Sequence, residues 1–211
     1  MKNKSYLVGF ILNILIAVLA AIGLIIQLCE SKSASIFIYY TILSNTLCIV
    51  VSLVLSVFLG INCFVKEIKI PTVLSIIKYV NEVMLFVTFL TVVFVLSWSS
   101  GYTLAQLLFQ GSMLFHHTLV PLISIVSFIF YEKHNLKSFI FTFIPMGITL
   151  TYGIVFVVLD VLKVIDAPYH FLRVSTQPLY FTIPTIIGVA AFVYGCSILL
   201  RLLNKHFSII K

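Results

Sequence analysis

The stretch Tyr6–Leu28, YLVGFILNILIAVLAAIGLIIQL, decides the fold. It carries no charged side chain. A helix rises 1.5 Å per residue, so about 20 mostly apolar residues cross the hydrocarbon core of a bilayer. Lys2 and Lys4 before it mimic the start of a signal peptide. The apolar run is about twice as long as the 7–15 residues of a signal core, and no A-x-A site follows, so it reads as a retained first span.

Five more stretches share its character: Ile36–Leu59, Tyr79–Trp98, Phe109–Tyr131, Ser138–Leu162 and Pro178–Leu200. The expected fold class is therefore an all-α membrane protein, a six-transmembrane-helix bundle. Residues 1–211 form one integral membrane domain. Only 9 % of residues are charged and mean hydropathy is +1.21, against roughly 25 % charged in a soluble domain.

The net charge of +7 raises the question of nucleic acid. The cations are scattered over loops with no dense patch or aromatic-basic stripe, so no nucleic-acid partner is expected. In a membrane protein the surplus reports orientation. Lys2, Lys4, Lys66, Lys69, Lys78, Lys133, Lys137, Arg201, Lys205 and Lys211 fall on one side; Lys32, Lys163 and Arg173 fall on the other. Ten against three puts both termini in the cytoplasm. Cys29, Cys48, Cys63 and Cys196 have no metal-ligand spacing, and neither metal nor cofactor is expected. Gly9, Gly23, Gly188 and Gly195 permit close helix packing, within the chain or between copies. The oligomeric state is left open.

Pro121, Pro145 and Pro184 lie inside apolar spans, where each removes an N–H and should kink its helix. Pro121 frees the carbonyl four residues earlier, that of His117. Polar groups inside spans mark the candidate site, because they are costly in lipid and face the bundle interior. Thr41, Ser44 and Asn45 are spaced i, i+3, i+4 and share a helix face. His116 and His117 are adjacent, about 100° apart around the helix. With the termini inside, Thr41 and His117 sit at similar depths in the outer half. Asp160, Tyr180 and His170 gather at that same end. Glu82 lies four residues after Lys78, a spacing that allows an ion pair within one helix.

These residues give the chain a resemblance to the androgen-induced membrane protein family, in its bacterial six-span branch. Tyr40-Thr41-Ile42-Leu43-Ser44-Asn45 is similar to that branch's F-T-x-x-S-N. His117-Thr118-Leu119-Val120-Pro121 is similar to its H-x-x-x-P, and Tyr169-His170-Phe171-Leu172 to its Y-P-F-L. The likeness covers nearly the whole chain. It implies a threonine hydrolase of fatty acid esters of hydroxy fatty acids, in a bacterial cell membrane. Thr41 would be the nucleophile and His117 the base. The animal members' spacing, one residue further from the proline, would choose His116. The branch carries an acidic residue ten positions after its His; here Ser127 stands there.

The expectation is a lipid ester hydrolase. Its catalytic residues are Thr41, His117 or His116, and Asn45 as oxyanion donor or imidazole holder. Its candidate substrate-binding residues are Ser44, Tyr180, His170 and Asp160. The partner is a membrane lipid or fatty acid ester. Two other classes compete: a noncatalytic lipid-binding or scaffold protein, and a small transporter using His116, His117 and Asp160 as relay groups.

Overall fold

The computed structural model describes residues 2–99, 101–134, 136 and 138–210. Lys137 and Lys211, counted in the charge asymmetry, lie outside that set, as does Ser100, between the third and fourth expected spans. The described chain is helical, with no strand among its residues. Helix α1 spans Lys2–Ser31, α2 Tyr40–Phe64 and α3 Thr72–Thr91. A π-helical stretch, Val92–Leu96, prolongs α3. A short α4, Leu104–Phe109, precedes α5 at Leu114–Tyr131. Helix α6 spans Phe143–Val161 and α7 Leu179–Phe207. Among the described residues six helices are long and apolar enough to cross a membrane, all but α4.

Local chemistry sets boundaries that differ from the sequence reading. Pro71, extended at ψ 139°, starts α3 at Thr72, seven residues before the expected Tyr79. Lys78 is therefore not a loop residue; it lies inside a helix and is fully buried. Between α4 and α5 the chain turns at Gly111, whose φ of +54° is a left-handed conformation open to glycine at little cost. The fourth span thus begins at Leu114 instead of Phe109. Thr103 and Gln106 form a capping box that makes α4 a separate helix.

The prolines act differently from one another. Ahead of Pro121 the helix widens: Leu114–Leu119 is π-helical, and the Val120 N–H reaches back five residues to the Phe115 carbonyl. Such bulges absorb a proline by adding a residue to the turn. Pro145 lies in the first turn of α6, which begins at Phe143, where N–H groups have no intrahelical partner anyway. Pro184 remains inside α7.

Helix α3 forms the centre. Its Tyr79 and Val83 pack with Phe128 of α5 and with Val193 and Leu200 of α7. On another side Leu85 meets Ile16 and Ala20 of α1, Cys48 of α2 and Val120 of α5. Lipid is as apolar as leucine, so close packing and interhelical hydrogen bonds must hold such helices together. Gly9 and Gly23 supply the close approach: a Cβ there would lie 2.7 Å from the Tyr131 carbonyl oxygen and 2.6 Å from the Phe115 Cβ. Gly188 and Gly195 face open space instead.

Candidate functional site

The end of the bundle remote from the termini holds a cavity of about 570 Å³ between α2, α3, α6, α7 and the loop after α6. Its walls are nearly all apolar, with Val87, Leu90, Phe181 and Val189 among them. Hydroxyls line the end near the start of α2. Tyr40 and Thr149 share a hydrogen bond of 2.7 Å, and Thr149 also donates to the Pro145 carbonyl. The Tyr152 hydroxyl donates to the Ile38 carbonyl at 2.7 Å. These groups are committed to the protein itself.

Thr41 lines the same wall and differs. Helical threonines can bond back to a carbonyl one turn earlier, as Thr46, Thr88, Thr149 and Thr185 do. Thr41 makes no such bond among the described residues. Its hydroxyl instead lies against the phenol of Tyr169, from the loop after α6. Burial pushes that phenol above the ordinary tyrosine value, with the Thr41 contact acting in the opposite direction.

The histidines lie on α5 in the π-helical turn before Pro121, both buried. His117 Nδ1 is 2.7 Å from the Leu107 carbonyl of α4. A carbonyl only accepts, so Nδ1 carries the proton and Nε2 is the basic nitrogen of the neutral ring. His116 turns the other way, against α1. Its ring lies beside Gly23, and neither ring nitrogen makes a well-formed hydrogen bond. Asn45 connects the two segments. Its Nδ2 donates to the Thr41 carbonyl at 2.9 Å and to the His116 carbonyl at 3.4 Å. The Thr41 and His116–His117 motifs are thus neighbours, yet neither histidine lines the cavity.

The four candidate substrate-binding residues are not brought together, and none lines the cavity. Ser44 donates to the Thr41 carbonyl and accepts from Asn81 Nδ2 on its own carbonyl. Asp160 accepts the N–H groups of Ala167 and Ser175 at 3.3 and 2.9 Å, which shapes the loop after α6. His170 is exposed in that loop, and its carbonyl accepts from Gln177. Tyr180 is 81 % exposed on the outside of α7.

A second polar cluster sits deeper toward the end that carries the termini. Lys78 Nζ lies 2.6 Å from Glu82 and 3.7 Å from Glu132, with all three side chains fully buried. Ser124 donates to Glu82, and Ser127 donates to Glu132 at 2.7 Å. Asn13 of α1 donates to Glu132 at 2.9 Å, and His134 Nε2 is 2.8 Å from its other oxygen. The cluster ties α1, α3 and α5 together, and its ion pairs and hydrogen bonds offset the cost of burying charge; Asn13 Oδ1, Glu82 Oε2 and His134 Nδ1 are left without a hydrogen-bond partner. The Lys78–Glu82 spacing revealed one edge of it; Glu132 and Asn13 gave no signal in sequence. Among the described residues no three His, Cys, Asp or Glu side chains gather to hold a metal ion. The four cysteines are free thiols.

Comparison with protein families, curated proteins and solved structures returned no match for this chain.

Proposed function

We propose that this chain is an intramembrane lipid ester hydrolase, with Thr41 as nucleophile and His117 as base. The observation that carries the reading is the Thr41 hydroxyl in the wall of an apolar cavity, where it meets the Tyr169 phenol and bonds back to no helix carbonyl among the described residues. The cavity would take the acyl chain and present the ester carbonyl to Thr41 Oγ. His117 Nε2 would accept the hydroxyl proton as Oγ attacks. It would return that proton to the leaving alcohol, and water would then release the acyl group by the same route. This requires the imidazole to swing toward Thr41 when substrate enters; catalytic hydrogen bonds often form only in that complex. The substrate class under this reading is a fatty acid ester of a hydroxy fatty acid. The lysine and arginine distribution favours cytoplasmic termini, and the resemblance favours a bacterial cell membrane.

A noncatalytic lipid-binding role is the second reading. It is favoured by Tyr169 lying on the Thr41 hydroxyl while no histidine lines the cavity. A fluorophosphonate probe separates the two. The hydrolase reading expects labelling of the purified protein that disappears in Thr41→Ala and in His117→Ala but survives in His116→Ala. An unlabelled, folded wild type that still takes up a fluorescent fatty acid supports the binding role.

A further inference from the structure

A second cavity, of about 500 Å³, opens at the opposite end of the molecule, between the end of α5 and the last turns of α7. Its charged and titratable lining is Lys133, His134, Arg201, Lys205 and His206, with no carboxylate among the described lining residues. Glu132 does not line the cavity; Lys78, Asn13 and Ser127 engage one of its oxygens in the buried cluster, and His134 of the cavity wall holds the other.

The walls are built, not incidental. Asn204 Nδ2 donates to the main-chain carbonyls of Phe128 and Glu132 at 2.5 and 2.9 Å. Ser208 also donates to the Glu132 carbonyl, and the Ile209 N–H to that of Phe130. The loop after α5 is thereby fastened to the end of α7. Arg201 Nε donates to the Leu136 carbonyl at 3.1 Å, and its guanidinium lies over the Phe139 ring. His134 stacks on Phe128 with ring centroids 4.8 Å apart. It is 92 % buried, with Nε2 committed to Glu132 and Nδ1 without a partner.

Cations in the last turn of a helix complement its dipole, which accounts for Lys205 and His206. The dipole does not account for Lys133 from a different element, for Arg201 a turn earlier, or for the orphaned His134 Nδ1. Basic pockets between membrane helices take anionic headgroups, and phosphate oxygens suit arginine and lysine donors. We infer that this cavity binds a phosphate ester, with Lys133, Arg201 and Lys205 supplying the charge. The site is independent of the Thr41 cavity.

Thermal unfolding of the detergent-solubilised full chain tests this, with phosphatidylglycerol, inorganic phosphate, or phosphate-free diacylglycerol added. The midpoint should rise by about 5–10 °C at a hundredfold excess over Kd with phosphatidylglycerol or phosphate, and not with diacylglycerol. A response to the lipid alone identifies a headgroup site; a response to phosphate alone identifies a site for the free ion. The rise should vanish in Lys133→Ala/Lys205→Ala, whose exposed side chains are removable without disturbing the core. It should persist in Lys32→Ala/Lys163→Ala, which removes equal charge elsewhere. No rise with either phosphate compound, or a rise equal in the Lys133/Lys205 variant, overturns the inference.

Discussion

The Asn45 amide on α2 donates to the main-chain carbonyl of His116 on α5, 3.4 Å away, while holding the Thr41 carbonyl at 2.9 Å. One side chain thus fixes the spacing between the two segments that carry the candidate chemistry. The His116 carbonyl lies in the π-helical turn ahead of Pro121, where the ordinary ladder is widened. Replacing Asn45 by Ala should cost about 1–3 kcal/mol, the usual penalty for stranding buried polar groups. Esterase activity should fall with it. Unfolding in detergent checks the first effect, and an unchanged midpoint would show the bridge to be inert.

The cavity can be closed without disturbing the packing around it. Gly188 of α7 lines it, and a Cβ at that position meets nothing within 4 Å. Gly188→Phe should fill the space and abolish binding of a fluorescent fatty acid. The midpoint should hold or rise, since glycine is a poor helix former. Undiminished fatty acid binding would place the acyl chain elsewhere.

Gly23 gives the opposite case. A Cβ there would sit 2.6 Å from the Phe115 Cβ and 3.0 Å from the His116 ring. Gly23→Ala should cost about 1–3 kcal/mol through overpacking and shift the π-helical turn of α5. Thermal unfolding measures the cost. A stability equal to wild type would mean that α1 and α5 separate freely.

The buried cluster predicts a response to acid. Burial pushes the Glu132 carboxyl up, but Lys78 and the His134 hydrogen bond outweigh this and hold it down at about 2, against an ordinary 4.5. A depressed carboxylate pKa stabilises the fold fully above the unfolded value and loses that contribution as pH falls through the folded one. Stability should therefore decline between pH 4.5 and about 2. Glu132→Gln should be less stable at neutral pH and show a shallower decline. A decline of identical slope in the variant would remove Glu132 as its source.

The six spans were legible because an apolar run of some 20 residues has few other uses. Their ends were less so: α3 begins at Thr72, just after Pro71, and α5 after Gly111, and both shifts moved polar residues between loop and helix. The sequence reading paired Lys78 with Glu82 as an i, i+4 contact. It had no means of bringing in Glu132, fifty residues further on, because that meeting is a product of tertiary packing. Ser127 is instructive. It stands where the resembled branch has an acid, and its hydroxyl donates to Glu132, which brings a carboxylate to that position from five residues away. Thr41 and Asn45 were expected on one face, and both lie where α2 meets its neighbours. The partner of His117 was not expected. The Leu107 carbonyl belongs to α4, a helix that the uncharged residues 99–108 between the third and fourth expected spans did not announce.

We propose that Thr41 cleaves an ester held in the apolar cavity between α2, α3, α6 and α7. The most direct test is release of free acid from a fatty acid ester of a hydroxy fatty acid by the purified protein, followed by mass spectrometry. Wild type should turn over the ester. Thr41→Ser should retain part of that activity, and Thr41→Ala should lose it by at least about 100-fold, a loss of roughly 3 kcal/mol in transition-state stabilisation, while keeping the wild-type melting profile. Turnover in Thr41→Ala at the wild-type rate, or no turnover by a folded wild type, would contradict the account.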